Sequence, residues 1–292
     1  MSWYLLSLSA LLFFGLQKFL FKVAAEKKSS TRITNFYFMI TVAVLSFIFF
    51  FLFSRKFMNL KQLILFALLN GVIFLSLNIF RLESLKYIPG VVAFPMFELS
   101  YIPVIIFSRF YFRESLNFKQ ILGVFFGILV ALLVSRKETA EQKRYREYYK
   151  GTPLLLGAIV SAAILSLISK IIAISSFNTL LFMGISYLFN TVLLFAFHHS
   201  AQVLLRNTKD VTPNQAREAI TIGILMGITN FIAFFSYLKA LEKGSLLVVS
   251  VLSGLSSLVA IVLSVMIYKE KLNWRRIVAI GLTIVTMVLL KI

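Results

Sequence analysis

The sequence predicts an all-α membrane protein with ten transmembrane helices, arranged as 5+5 inverted repeats. Three observations predict this fold: an apolar composition, apolar segments of membrane-spanning length, and an internal repeat. Of 292 residues, 60% are hydrophobic and 14% are charged, and the mean hydropathy is +0.92. A soluble domain of this length cannot bury so much apolar surface. Lipid is therefore the expected solvent for most of the chain.

Apolar segments of membrane-spanning length recur ten times along the chain. A helix needs about 20 apolar residues to cross roughly 30 Å of hydrocarbon. The first segment follows Met1 and Ser2 without a basic leader, so we expect it to remain as a helix. The predicted spans are 2–24, 34–53, 60–80, 88–110, 118–135, 153–174, 178–198, 217–238, 245–267 and 274–291.

Two connections between the predicted spans are longer than the others. Residues 136–152 are highly charged and lie near the midpoint, as expected of a solvated linker between halves. Residues 199–216 contain Thr212-Pro213, an N-cap residue followed by proline at the first helical position. The predicted domains are a five-helix repeat at 1–135, a charged linker at 136–152 and a second five-helix repeat at 153–292.

The internal repeat is the strongest organisational signal. A shift of 156 residues superposes 61–134 on 217–290 without a gap, and 113–121 then falls on the similar segment 269–277. Each unit has five helices, an odd number, so the second unit must enter the membrane in the opposite direction. Such inverted repeats create a pseudo-two-fold axis in the membrane plane, with a site near the midplane that opens to either side.

Both copies carry a set of recognisable motif residues: Phe14-Gly15, Pro103-Val104, Arg113-Glu114, Leu116, Gln120, Gly123 and Gly127 in the first copy, and Lys269-Glu270, Leu272 and Gly281 in the second. In these residues the repeated segments resemble the EamA domain of the drug/metabolite transporter superfamily. The second copy departs from the family pattern where Val259 and Ala279 replace Pro103 and Gly123 of the first.

The resemblance covers essentially the whole chain, as two tandem EamA domains. It implies a transporter whose central cavity is lined by helices 1, 3 and 4 and their counterparts 6, 8 and 9, with helices 5 and 10 peripheral. It implies no particular substrate, because the superfamily moves amino acids, amines, nucleotide sugars and sugar phosphates.

Glu98 is the clearest candidate site residue. It lies ten residues into span 4, with Tyr101 on the same helical stripe. A charge near the bilayer centre costs at least a few kcal/mol, so a functional role is the first interpretation. The carboxylate either binds a cationic substrate group or carries a proton in coupled transport. The alternative is an internal ion pair with Lys18.

The lysines of spans 1 and 6 have two interpretations. Lys18, beside Gln17, either faces the cavity and meets an anionic substrate or extends its ammonium to the membrane interface. Lys22 and Lys170 lie nearer the ends of their helices, and we expect both to reach the interface.

Amide side chains form a second candidate group. Asn70, Phe74 and Asn78 are four residues apart in span 3 and share a stripe, and the 156-residue shift places Asn230 on the Phe74 position. These amides either bind substrate or hold helices together at about 1 kcal/mol each.

The two repeats differ most at Glu98. The same shift matches Glu98 and Tyr101 with Gly254 and Ser257, whose small side chains would leave room for a ligand. The candidate substrate-binding residues are Gln17, Lys18, Asn70, Asn78, Glu98, Tyr101, Asn230 and Ser257, with Glu98 also the proton-coupling candidate.

Charge and small residues indicate the partners. The formal charge is +19, but the basic residues lie in short segments between apolar runs. This distribution favours anionic lipid headgroups over nucleic acid. Gly123 and Gly127 form a packing face that joins either spans 5 and 10 or two protomers of a homodimer. Glu114 and Glu270 lie beside basic residues at membrane borders, where we expect loop ion pairs.

The combined observations predict a secondary-active transporter of a small polar metabolite, such as an amino acid or amine, in the plasma (inner) membrane. An intramembrane lipid-modifying enzyme is one alternative, but such enzymes show acidic clusters or a deep histidine, whereas Glu98 is alone. A channel is another and would need a continuous polar lining. There is no cysteine, and His198 and His199 are adjacent at the end of span 7, so we expect no metal and no other cofactor.

Two lines of evidence disagree on orientation. About twice as many lysines and arginines lie on the side of loops 1–2, 3–4, 5–6, 7–8 and 9–10 as on the other side. The positive-inside rule therefore places both termini outside the cytoplasm. The family resemblance implies both termini inside. We follow the charge count, because it accounts for the basic linker at 136–152.

Overall fold

The computed structural model describes residues 2–27, 29–54, 59–87, 97, 99–115, 117–135, 148–175, 177–204, 213–268 and 274–291. Every regular element among them is an α-helix. The helices are α1 Trp3–Glu26, α2 Thr31–Phe53, α3 Leu60–Tyr87, α4 Tyr101–Phe110, α5 Phe118–Ser135, α6 Tyr148–Ile174, α7 Thr179–Leu204, α8 Pro213–Leu241, α9 Leu246–Gly254, α10 Ser256–Tyr268 and α11 Trp274–Lys291.

The prediction of an all-α, multi-pass membrane protein is confirmed. Within the described ranges, seven helical segments are long and apolar enough to cross a membrane, and the apolar helices Phe118–Val130 and Ile277–Lys291 are shorter. Each predicted span contains a described helix, and α9 and α10 together occupy the ninth. The fourth span is described only in its second half, as α4.

Local sequence explains several helix ends. Asn178 precedes α7, and its Oδ1 accepts hydrogen bonds from the backbone N–H groups of Leu180 and Leu181 at 3.0 and 3.1 Å. Asn117 and Gln120 form a reciprocal capping box at the start of α5. Pro213 begins α8, as the Thr-Pro pair predicts.

Three boundaries differ from the predictions by five residues or more. α3 continues to Tyr87 rather than ending at 80. α6 begins at Tyr148 rather than 153, so the last residues of the predicted linker are helical. α7 continues to Leu204 rather than ending at 198, and His198 and His199 therefore lie inside a helix. In each case the helix continues through polar residues beyond the apolar stretch. A span predicted from hydropathy alone ends where the apolar residues end.

The core forms where helices of the two halves meet. α1 packs on α8 and on the ninth span, α3 packs on α6 and α7, and α2 packs on α7 and α8. α5 and α11 pack on each other. Large apolar side chains also cover the outer surface, as expected where lipid is the solvent. Examples are Phe53, Leu65, Phe110, Met266 and Trp274.

The two glycines of α5 contact helices of the same chain. A Cβ on Gly123 would lie 2.8 Å from Leu290 Cδ2 of α11, and one on Gly127 would lie 2.6 Å from Val251 Cγ1 of α9. Of the two alternatives, the structure shows the packing of spans 5 and 10. Both glycines are buried against helices of their own chain, and the homodimer through Gly123 and Gly127 stays a prediction.

Candidate functional site

A close helix contact sets the position of α1. A Cβ on Gly15 would lie 2.4 Å from Val259 Cβ and 2.8 Å from the carbonyl oxygen of Ser256, so only glycine allows α1 to approach α10 this closely. On its other side α1 packs along α8. The residues that follow, Gln17 and Lys18, are therefore held between two helices of the second half.

Gln17, Asn230 and Tyr187 form a hydrogen-bonded group that we call the amide–phenol cluster. The Asn230 Nδ2 group donates to Gln17 Oε1 at 2.9 Å, and the Tyr187 hydroxyl donates to Asn230 Oδ1 at 2.7 Å. Gln17 is 8% exposed, and Tyr187 and Asn230 are 5% exposed. The cluster joins α1, α7 and α8.

The cluster lies at membrane depth. At about 1.5 Å per residue, Gln17 lies roughly 20 Å along α1 from its start, and Asn230 lies roughly 16 Å before the end of α8. Both helix ends lie on the same side of the molecule, since Trp3 contacts Gly244 just beyond α8. The cluster is therefore near the middle of a hydrocarbon core about 30 Å thick.

Aromatic rings surround the Tyr187 phenol. Its ring centroid lies 6.0 Å from Phe38, 6.3 Å from Phe74 and 6.1 Å from Phe234, in edge-on or tilted arrangements. Phe234 in turn stacks on Tyr237 at 6.3 Å. The polar atoms of the cluster thus lie inside a ring of aromatic side chains.

A layer of hydroxyl groups lies one to two turns farther along α8. The Tyr237 hydroxyl is 3.2 Å from Ser250 Oγ of α9. Ser236 Oγ is 3.2 Å from Ser9 Oγ of α1. These contacts link α1 and α9 to one stretch of α8.

The ninth span is interrupted next to α1. α9 ends at Gly254 and α10 begins at Ser256, with Leu255 between them. Lys18 Nζ donates to Ser257 Oγ at 2.9 Å, just past this break. Ser256 Oγ is buried and has no hydrogen-bond partner among the described residues. Leu255 keeps helical dihedral angles and its N–H is 3.2 Å from the carbonyl oxygens of Val251 and Leu252, so the break is a local tightening of the helix.

The fourth span has a corresponding irregularity. Residues 99–100 form a turn, and α4 begins at Tyr101. The 156-residue shift places this turn on Leu255 and Ser256 of the ninth span. The two turns therefore lie at matching positions of the two halves.

The structure brings four of the predicted site residues together in pairs. Gln17 bonds Asn230, and Lys18 bonds Ser257. Tyr101 is buried at the start of α4. Glu98 lies outside the described residues.

The two predicted amides of α3 have different surroundings. Asn78 donates to the Phe74 carbonyl of its own helix at 2.9 Å, so its amide is used locally. Asn70 is buried in α3, where the adjacent Gly71 contacts Phe189 and Asn190 of α7. Neither joins the amide–phenol cluster.

Sequence reasoning missed Tyr187. A tyrosine within an apolar span is ordinary packing by its residue type alone, and no repeat match covered span 7. One signal was present: the shift matched Phe74 with Asn230, and both of these residues contact Tyr187.

Lys170 corrects a second prediction. Its ammonium is not exposed as that of a lysine extended to the interface would be; the side chain is buried, and Nζ lies 2.9 Å from Glu114 Oε1. The ammonium also donates to the carbonyl oxygens of Leu241 at 3.0 Å and Gly244 at 2.7 Å. The α8–α9 connection folds over the lysine, so three internal acceptors replace water.

Glu114 forms an ion pair, as predicted for the loops, but a buried one between helices. Its carboxylate accepts hydrogen bonds from Ser108 Oγ at 2.5 Å, Ser245 Oγ at 2.9 Å and the N–H of Leu246 at 2.9 Å. The last bond caps the start of α9. Burial by itself raises the pKa of Glu114, but these hydrogen bonds and the charge of Lys170 outweigh it and hold the pKa below its usual value.

The chain matches a transporter family in sequence and solved structures in fold. The sequence profile of the EamA-like transporter family matches residues 1–136 and 149–292. No curated protein matches this chain at a significant level. Twenty-nine chains of solved structures match. One, a crystal structure of a protein, has a TM-score of 0.77 at 17% identity, covering 98% of this chain and 95% of that one. At this identity the likeness establishes the fold alone.

Proposed function

This chain belongs to the EamA-like transporter family, and from that premise we propose that it is a secondary-active carrier of a small polar metabolite, such as an amino acid or an amine, in the plasma (inner) membrane. The family consists of transporters rather than enzymes. In the proposed cycle the halves 1–135 and 153–292 rock about a midplane site and expose it to each side in turn.

Helix packing supports the inverted repeat that this cycle needs. If a pseudo-two-fold axis relates the halves, each contact between them recurs with the halves exchanged. Spans 1 and 8 pack together, and so do the exchanged pair, spans 6 and 3. The same holds for spans 2 and 8 and spans 7 and 3. Spans 2 and 7 pack on each other, as do spans 5 and 10.

The amide–phenol cluster is the observation that carries the proposal. Three polar side chains near the bilayer centre are held by each other and surrounded by aromatic rings. A site of this kind binds through a few placed polar groups in mostly apolar surroundings. The cluster joins helices of both halves, α1 with α7 and α8, so relative motion of the halves would change its geometry.

Two charged residues favour an amino acid or amine as the substrate. Lys18, next to the cluster and bonded to Ser257, offers a cation to a carboxylate group. Glu98, from its position in the sequence, offers a carboxylate to an amino group and a site for a coupled proton. A substrate with both groups would use both residues.

The test begins with ligand identification. Purified protein is screened by thermal shift against amino acids, amines, nucleosides and sugar phosphates, because a ligand raises stability by mass action. The compound with the largest shift is then used for uptake into proteoliposomes. Saturable, gradient-dependent uptake supports a carrier. Ohmic current would indicate a channel, and the absence of both flux and current would favour an enzyme.

A further inference from the structure

A second polar centre lies at the end of the molecule that carries both chain termini. It consists of Glu114 in the α4–α5 loop, Lys170 of α6, and Ser108 and Ser245, and we call it the terminal-side latch. Glu114 comes from the first half of the chain, while Lys170 and Ser245 come from the second. The latch therefore connects the two halves, and none of its residues belongs to the amide–phenol cluster.

The latch is largely buried in this conformation. The Lys170 and Glu114 side chains are 9% and 13% exposed, and their charged atoms are 2.9 Å apart. The carboxylate accepts from two hydroxyls and one backbone N–H, and the ammonium donates to two carbonyls. Each charge thus depends on groups from the other half, or from the α8–α9 connection, for its solvation.

Such a pair has two stable arrangements rather than a range of them. Separating the partners inside protein leaves uncompensated charges, which is strongly unfavourable, whereas separation with entry of water restores their solvation. The pair is therefore either closed, with its charges solvated by protein groups, or open, with its charges solvated by water. An outer salt bridge such as Lys27–Glu218, with side chains 50% and 44% exposed, lacks this property.

The latch is mechanically linked to the candidate site. Glu114 caps the first turn of α9, and α9 ends nine residues later at the break beside Ser257 and Lys18. Lys170 holds the carbonyl at the end of α8, four residues beyond Tyr237, whose hydroxyl contacts α9 at Ser250. Displacement of the α8–α9 connection would therefore move both helices that border the site.

We propose that the Glu114–Lys170 pair is the latch that keeps the terminal side of the carrier closed, and that it separates when this side opens to release or admit substrate. The inference rests on the proposed carrier function, because only a protein with an alternating cycle needs such an element. Glu114 and Lys170 act as positioning residues and do not contact the substrate.

The absence of cysteine from the sequence makes a direct test possible. Spin labels are attached to cysteines introduced at the exposed positions Ser115 and Lys243, which flank the latch on its two sides. Their distance distribution is measured in lipid for the otherwise unchanged protein, for E114Q/K170M and for the control E218Q. The double variant removes both charges, so neither is left buried alone, and the control breaks only the exposed Lys27 pair.

The proposal predicts one short distance in the unchanged protein and in E218Q, and a second, longer population in E114Q/K170M. The same single distance in all three would overturn it, since the pair would then serve stability alone. If E114Q/K170M does not fold, E114D is measured instead, because it keeps both charges but shortens the carboxylate side chain; a single short distance in E114D would likewise overturn the proposal. The measurement needs no substrate, so it is independent of the uptake test of the carrier function.

Discussion

At the scale of single residues, Asn230 uses both ends of its amide, donating to Gln17 and accepting from Tyr187. This arrangement leaves little freedom in how the amide is oriented. A substrate that enters must replace one of these bonds with one of its own, which allows discrimination, because an analogue without the matching group leaves a buried polar atom unpaired.

Removing the Tyr187 hydroxyl tests this role. We expect Tyr187→Phe to keep the aromatic contacts, to lose about 1 kcal/mol of stability because Asn230 Oδ1 loses a donor, and to reduce uptake several-fold. The matched control is Tyr4→Phe, which loses a hydroxyl bond to the Met287 carbonyl away from the cluster. Uptake and melting temperature are measured for both. Equal uptake by the two variants would remove Tyr187 from the site.

Glu98 is the second residue to test, on the strength of its position in the sequence. We expect Glu98→Gln to abolish the pH dependence of uptake, since a glutamine cannot exchange a proton. Uptake is measured in liposomes over a range of external pH. If the rate and its pH dependence match those of the unchanged protein, proton coupling at Glu98 is wrong.

At the scale of helices, glycines set how closely neighbours approach. A Cβ on Gly227 of α8 would lie 2.5 Å from Thr41 Cβ and 2.9 Å from the Phe38 carbonyl oxygen of α2, whereas one on Gly281 of α11 would meet nothing within 4 Å. Both glycines lie inside helices, but only Gly227 lies where a side chain would clash with a neighbouring helix. The first permits a contact between the halves, and the second does not.

Paired alanine substitutions test this difference. We expect Gly227→Ala to destabilise the protein by about 1–3 kcal/mol through overpacking. Gly281→Ala should be neutral or stabilise by up to about 1 kcal/mol, because alanine restricts the unfolded chain and favours helix. Thermal unfolding in one detergent gives both values. Equal melting temperatures would mean that α2 and α8 are farther apart than described.

Helices were more predictable from sequence than the details within them. Their number and order follow from apolar length, and Pro213 begins α8 because proline suits the first helical position. The break at Leu255 could not be predicted, since the apolar residues continue through it. Lys170 was misassigned because its position near a helix end suggests exposure. Only tertiary folding brings the α8–α9 connection and Glu114 over it.

The candidate site shows the same limit. Gln17, Lys18, Asn230 and Ser257 stand out in the sequence because polar residues in apolar spans are costly. Their pairing depends on which helices are neighbours, and hydropathy carries no information about that. Tyr187 was missed because aromatic residues are common in membrane spans.

At the scale of the whole molecule, orientation remains a prediction from the charge distribution. Trp3 contacts Gly244 and Lys291 Nζ lies 5.9 Å from the Tyr4 ring, so both termini share one side. The excess of basic residues on the opposite side predicts that the termini face away from the cytoplasm. A periplasm-active reporter fused after Ile292 should therefore be active. Activity of a cytoplasmic reporter at the same position would reverse the assignment.

The central claim, that the two halves expose one site alternately, is tested most directly by counterflow. Proteoliposomes loaded with an excess of the unlabelled ligand from the thermal-shift screen are diluted into a trace of labelled ligand. A carrier is predicted to accumulate the label transiently above its outside concentration, because each outward passage of unlabelled ligand returns the site to the outside. Equilibration of the label without any overshoot would contradict alternating access and indicate a channel.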